Sequence, residues 1–404
     1  MLGSFYISYS GLLNFSKGLN VISNNVGNLN TPGFKASELN FQDAFYRYQY
    51  GSNGSSDGFN RLQIGSGVIA SDSNINFRQG ELRDTGNSLD VAIDGNGFFV
   101  LRQDGEIVYS RAGKFEFDDQ GYLVDSQSGA RVAGLQSGGA LTDISISGVK
   151  SNPASATSEI SFTNNLSSGS TSHTLNNVQV YDATGASHDL TIIFTNNYAS
   201  VPGSWLIEVQ DSTGATLSNG EIRYQGNGSP LTGFNTHSFS YAPTGAAATT
   251  ITLNFGDPGS FTGSTAFSAG SSSTLSVDSQ DGYGVGSLTG TEYTEDGVLK
   301  LTYSNGQTVE HAQLAFAVVD NLKGLTQIGK NLFRYLGDAA PQVSTAKTNG
   351  IGSVQGGKLE LSNVELTEQF TDMIIMQRGY QASSQIISIT NEMIQQLFNL
   401  RGGG

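Results

Sequence analysis

Residues 362 to 401 carry apolar side chains on two faces of one helix, and no single partner helix can cover both. Leu366, Phe370, Met373, Tyr380, Ile387, Ile394 and Phe398 form one stripe, while Ile386, Met393, Leu397 and Leu400 form a second. Ser362-Asn363-Val364-Glu365 has the spacing of a capping box, which predicts that Ser362 accepts from the amide three residues on and that Glu365 reaches back. Arg401 suits the negative helix end, and Gly402 to Gly404 stop it. The N-terminus offers the other helical pattern: Leu2, Phe5, Tyr9, Leu12 and Leu19 share a face, with Tyr6, Leu13 and Ile22 beside them. One such helix leaves a stripe uncovered. The chain therefore reads as a subunit built to polymerise.

The N-terminal helix runs into "SNNVGNLNTPGFK", Ser23 to Lys35. Asn competes for nearby backbone groups, Pro32 biases Thr31 away from the α region, and Pro32-Gly33 suits the centre of a type II turn. The helix is expected to stop within this stretch.

Between the ends the signals are almost all β. Leu89 to Ile93, Phe98 to Leu101, Ile107 to Tyr109, Lys114 to Phe117 and Tyr122 to Val124 are short runs separated by Asp94-Gly95, Asp104-Gly105, Asp119-Gln120-Gly121 and Ser128-Gly129, as in a meander of hairpins. A comparable set, Val298 to Tyr303 and Leu314 to Val319, returns later and can share a domain with the first. Residues 151 to 280 differ, with eight acidic residues against one basic, Arg223, and long Ser/Thr/Gly/Ala stretches. Strands at Val178 to Tyr181, Leu190 to Phe194, Trp205 to Val209 and Thr250 to Phe255 mark them as an inserted β domain. Its two similar segments, Asp182 to Ala186 and Asp211 to Ala215, read as hairpin turns and not as a repeat.

Composition narrows the functions open to such a chain. Its 404 residues predict two to four domains. A formal charge of −15 argues against nucleic acid and against anionic membranes as partners. There is no Cys, hence no thiolate chemistry, and no apolar run long enough to insert in a bilayer. The N-terminus, without a basic residue before Lys17, is unlike a cleavable secretory signal. Asp84-Thr85-Gly86 has the aspartic protease triplet but occurs once, after the charged Glu81-Leu82-Arg83. His173, His188, His237 and His311 lack metal-ligand spacing, and Asp118-Asp119 and Asp278 to Gly282 lack the alternating oxygen ligands of a calcium loop. Gly95-Asn96-Gly97 and Gly282 to Gly286 lack the helix or Lys of a phosphate cradle. We expect no catalytic centre, metal or cofactor.

"SGLLNFSKGLNVISNNVGNLNTPGFK", "LDVAIDGNGFFVL", "YSRAGKFEFDDQGYLV" and "GGKLELSNVELTEQFTDMIIMQRGYQASSQIISITNEMIQQLFNL" resemble, in order, the bacterial flagellar rod and hook family. "DGYGVGSLTG", "YSNGQT" and "GKNLFRYLGDAAP", together with an insert as large as 151 to 280, resemble its hook branch, whereas "LQIGSGV", Leu62 to Val68, resembles distal rod linkers. Ser383-Ser384 departs from an Ala-Asn pair common in the family.

The resemblance implies a mainly β, multidomain chain whose β-rich domains are nested between terminal α-helices that pair into a core. In it, residues 1–30 and 363–404 form the helical core, 31–75 and 350–362 an extended connection, 76–150 with 281–349 a middle domain, and 151–280 an outer one. The family motif covers Ser23, Asn24, Asn25, Asn28, Asn30, Thr31, Gly33 and Phe34. In a dense bundle its asparagines would satisfy polar groups of adjoining subunits, or else cap and turn within one chain. The implied partners are further copies of the chain, distal rod, hook cap and hook-filament junction proteins, and an export gate, with export to the cell exterior needing no cleaved signal. Phe41 to Phe45 resembles the segment that engages this gate; the alternative is a small turn packing Phe41 and Phe45 on the middle domain. A distal rod subunit and a secreted β-rich adhesin are the other readings.

Overall fold

The computed structural model describes residues 2–50, 61–136 and 138–401. Its α-helices are α1, Leu2–Gly27, and α2, Leu366–Arg401; between them the described residues form strands, turns and one short 3-10 helix, Leu322–Gly324. The chain divides into two compact units, one comprising 1–147, 291–300 and 310–404, the other 148–290 and 301–309. The helices, the connecting stretches and most of the middle β segments fall together in the first. The Gly402 to Gly404 stop lies outside the described residues.

α1 ends inside the expected stretch, at Gly27, whereas the start of α2 differs from expectation. α1 continues through Asn24 and Asn25 to Gly27, because Asn28 donates back to the Asn24 carbonyl at 2.9 Å and so supports the last turn. The reversal comes later, at Gly33, whose φ of +71° only Gly adopts freely. The predicted capping box does not form. The first helical bond runs from Gln369 N–H to the Glu365 carbonyl, at 3.0 Å, while the Glu365 carboxylate is engaged by Arg78 and Ser362 Oγ reaches only Val364 N–H at 3.4 Å.

In the first unit most of the earlier short strands meet Phe316–Val318 and three later strands in one ten-stranded sheet. Val298–Tyr303, expected beside them, pairs instead in a separate four-stranded sheet with Gly286–Tyr293 and Thr308–Gln313, and Val91–Asp94 pairs with Ser353–Gly356. The ten-stranded sheet has the order Leu325–Gly329, Leu332–Tyr335, Glu106–Ser110, Phe98–Gln103, Arg131–Leu135, Leu123–Asp125 and Phe115–Phe117, with Leu141–Asp143, Phe316–Val318 and Gln342–Ser344 attached. Asp104 (φ 51°) and Gly105 (φ 84°) are both left-handed, as a two-residue hairpin turn requires. One face of the sheet buries Phe98, Val100, Tyr109, Ala317 and Phe333, with Phe77 laid edge-on to Phe98 at 5.5 Å.

The second unit contains a two-sheet β-sandwich. One sheet orders Ser172–Tyr181, Ser187–Asn196, Ser204–Gln210 and Thr216–Arg223; the other is built on Glu159–Asn165, Thr236–Tyr241 and Thr249–Asn254. Alternate residues point inward, so Leu190, Ile192 and Phe194 meet Phe162 and Phe255 between the sheets. Phe162 stacks on Phe255 at 4.8 Å, and Trp205 is wholly buried beside them. The two Asp-x-Thr-Gly-Ala turns match in detail: Asp182 and Asp211 each accept from the amide and hydroxyl of the Thr two residues on, and from the Ala amide after it.

His237 closes one side of this sandwich. Its ring packs over Gly220, where a Cβ would come within 2.4 Å of Nδ1, and its Nε2 lies 2.9 Å from Ser218 Oγ. Burial pushes the imidazole below its ordinary 6.5, so the folded state resists protonation. Stability is then full above about pH 6.5 and falls as pH drops from there towards the folded value. Thermal melting of wild type between pH 7 and 5 should fall more steeply than that of His237→Gln. Parallel slopes would remove the imidazole from the account.

Candidate functional site: the helical pair and its joint

α1 and α2 run antiparallel, since Gly11 meets Ser383, Phe15 meets Gly379 and Gly18 meets Met376. Small and polar residues make up much of their seam: Ser8, Gly11, Gly18 and Asn25 on α1 face Gln369, Gly379, Ser383 and Thr390 on α2, with Phe15, Ile22 and Met376 among them. The steps of three and four between them are those of a coiled-coil seam. Glycine is required there. A Cβ on Gly379 would lie 2.6 Å from the Phe15 ring, and one on Gly11 2.9 Å from Ser383 Oγ.

Because glycine and serine hold the closest approaches, most of the other large apolar residues point away from the seam. Tyr6, Tyr9 and Leu13 on α1 are exposed, as are Leu366, Phe370, Ile374, Ile375, Tyr380, Ile386, Ile389, Met393, Leu397 and Phe398 on α2; Tyr6 is 70% and Phe398 69% open. Rows of large apolar side chains on a surface mark an interaction face. Of the remaining stripe residues, Ile22 is buried, Phe5, Leu12, Leu19, Met373, Ile387 and Ile394 are partly buried, and Leu2 opens α1. α1 has a second partner within the chain that periodicity did not reveal. Asn14 donates to Val68 O at 2.6 Å and accepts from Ala70 N–H at 3.1 Å, which holds the antiparallel strands Ser37–Asp43 and Val68–Ile75 against the helix.

The motif after α1 forms a joint to the first β unit. Asn25, 1% exposed, donates to Ser37 O (2.8 Å) and Gln369 Oε1 (2.9 Å) and accepts from Ser37 N–H (3.0 Å). Asn28 accepts from the Thr31 hydroxyl, whereas Ser23, Asn24 and Asn30 are exposed. Asn331 holds the Pro32 carbonyl at 2.9 Å. Gly33 donates to Glu360 O at 2.8 Å and lies so close to Ala112 that a Cβ would sit 2.5 Å from its nitrogen. Phe34 packs with Ala36 and Val364.

The centre of the joint is charged. Lys35 and Glu360 are wholly buried, 2.6 Å apart; Lys35 also donates to Arg78 O at 2.7 Å, and Gly80 N–H to Glu360 Oε1 at 2.8 Å. Buried Arg111 reaches Glu360 Oε2 at 3.5 Å and donates to Gly95 O at 2.9 Å. Burial pushes the Lys35 ammonium below its ordinary range, with Glu360 opposing, and acts likewise on Arg111. Sequence reading missed these residues. No local spacing signals an ion pair between positions 35 and 360.

The two candidate export residues separate. Phe41 lies in a strand, its ring 6.2 Å from that of Phe15, and Phe45, beyond the strand end, is 74% exposed. A turn packing both on the middle domain is therefore not what forms.

Four families match successive stretches of the chain. Residues 5–35 match the flagella basal body rod protein family, and 92–168 the flagellar hook protein FlgE/F/G D1 domain. Residues 166–332 match the flagellar basal body protein FlaE D2 domain, and 355–400 the flagellar basal body rod FlgEFG protein C-terminal family. The flagellar hook protein FlgE of Borreliella burgdorferi is 30% identical, over 99% of this chain and 100% of its own, and that of Treponema pallidum is 30% identical over the same shares. The flagellar basal-body rod protein FlgG of Bacillus subtilis is 25% identical over 99% of this chain and 100% of its own. The crystal structure of the Helicobacter pylori hook protein FlgE2 shares the fold, with a TM-score of 0.50 at 13% identity, over 69% of this chain and 100% of that one. Terminal helices that pair with each other while turning their apolar faces outward, and a match along its full length to hook proteins, show that this chain belongs to the flagellar hook protein FlgE family.

Proposed function

We propose that the chain is the structural subunit of a flagellar hook, and that copies stack through the outward faces of α1 and α2 into a curved tube that passes torque from rod to filament. The uncovered apolar rows on both helices carry this reading, because a helix pair folded for its own sake would turn them inward. In the tube, residues 1–30 and 363–404 line the axial channel, 76–150 with 281–349 form the middle layer, 151–280 the outer one, and 31–75 with 350–362 connect them. Bending with retained twist stiffness is a shear motion, in which inner helices slide slightly while outer contacts are remade. Its role is mechanical and not catalytic. It lies outside the cell, between distal rod and hook-filament junction proteins, and assembles under a hook cap. Negative-stain microscopy of the full-length protein at raised salt and concentration should show curved tubes; a monomer under all conditions overturns the proposal. The likeness to a rod protein supports a second reading, a stiff distal rod subunit, for which the tubes would be straight.

Export through the flagellar gate is assigned to the Phe41–Phe45 stretch, and the exposure of Phe45 gives it a sharper test. Phe45→Ala should lower secreted subunit several-fold in a flagellated host without changing the melting curve. Phe41→Ala should instead destabilise by about 1–2 kcal/mol, as befits a partly buried ring. Normal secretion of Phe45→Ala removes that residue from export.

A further inference from the structure

Beside the charged joint the first unit opens a cleft of about 440 Å³, lined by Phe77, Phe98, Val318, Val319 and Leu322, with Arg111 in its wall. The Arg111 side chain is 4% exposed, lies over the Phe98 ring at 5.2 Å, and has no partner for its Nε donor. Two buried cations, Lys35 and Arg111, share one carboxylate. Glu360 Oε1 is taken by Lys35 and Gly80, and Oε2 meets Arg111 only at 3.5 Å. Arg78, at the cleft wall, is exposed and pairs with Glu365. The cleft thus combines an apolar lining with an uncompensated positive charge, in a chain whose formal charge is −15.

We propose that this cleft binds a carboxylate carried on an apolar side chain or segment, and that a second copy of the chain supplies it. An apolar wall strengthens a charge-assisted bond to the guanidinium by excluding water, and a carboxylate brings the negative charge that the cluster lacks. A second copy fits because acidic residues outnumber basic ones, 35 to 20, so copies repel over most of their surface and gain where an acid meets a cation in an apolar setting. Arg78 also ties the cleft to the start of α2, where the exposed assembly face begins at Leu366. The identity of the partner rests on the hook-subunit reading; the chemistry of the cleft does not.

The two are tested separately. On the monomer, phenylacetate should shift the methyl resonances of Val318, Val319 and Leu322 and saturate, with at least tenfold tighter binding than 2-phenylethanol, which has the same ring without the charge. Val318→Phe, which fills the cleft, should lose at least tenfold in phenylacetate affinity. Leu322→Glu, at an exposed position and so safe for folding, should do the same by placing a carboxylate at the mouth. Equal affinity for acid and alcohol, or unchanged affinity in both variants, overturns the carboxylate site. In assembly, both variants should lower tube yield at least tenfold at a fixed concentration, and wild-type yield from either variant overturns the second copy as occupant. Wild type that never forms tubes defeats the hook reading and with it this partner, while the probe arm still decides the site.

Discussion

Glu360→Met should destabilise the first unit by about 3–5 kcal/mol, Lys35→Met by clearly less, and the triple replacement of Lys35, Arg111 and Glu360 by Met should return to within about 1–2 kcal/mol of wild type. The ranking follows from charge. Removing the one carboxylate leaves Lys35 and Arg111 buried with nothing between them, and breaking a buried pair this way is among the costliest single changes. Removing Lys35 leaves Glu360 with Arg111 and the Gly80 amide, so charge still balances. Replacing all three by apolar groups of similar volume removes the desolvation penalty together with the attraction. Hydrogen exchange at the Leu361 amide, which donates to Glu81 O beside the joint, measures the local effect. The Glu360→Met variant should also regain stability as pH rises from 7 to 10. The folded pKa of Lys35 lies below its unfolded 10.5, so the folded form loses its proton first and the repulsion with it. Equal costs for Glu360→Met and Lys35→Met would show that packing, not charge balance, holds the joint.

The architecture was legible where one period ran long enough. Two-residue alternation with Gly at the turns found the strand at Val298–Tyr303 to the residue, and the 3.6-residue period found both helices. What periodicity could not tell was which face turns inward. It marks the large apolar side as the buried one, and here Gly11, Gly18, Gly379 and Ser383 take the seam because only small residues allow so close an approach. The same limit applies to the asparagines. Composition marked Asn25 as a polar group in need of partners, but the partners it meets, Ser37 and Gln369, come from a chain reversal and from a helix far along the sequence. Lys35 gave less still, since a single lysine after a turn looks like any surface lysine until position 360 is folded onto it. The sandwich strands were visible one by one, yet the pairing of Glu159–Asn165 with Thr249–Asn254, parallel and distant in sequence, has no local mark.

Phe370→Asp with Ile374→Asp should abolish tubes while leaving the monomer folded. The two residues are four apart on α2, hence neighbours on one face, and each is half exposed or more. In the monomer their replacement removes little packing, and the cost is limited to helix propensity, a few tenths of a kcal/mol each. In a helical polymer the same pair would be buried in every subunit. Losing about 1.5–3 kcal/mol per side chain, with a carboxylate forced into the contact, raises the concentration needed for assembly by a factor of ten for each 1.4 kcal/mol. Gly18→Leu provides the opposite case. A Cβ there already sits 3.0 Å from Met376 Sδ, so the larger side chain must push α1 and α2 apart and lower the helix signal of the monomer itself. Circular dichroism of the monomer and electron microscopy of the polymer together separate the faces: the outward pair should change only the second measurement, the seam glycine both. If the Asp pair instead melts the helices of the isolated chain, those residues belong to an internal core, and the surface offered for stacking lies elsewhere.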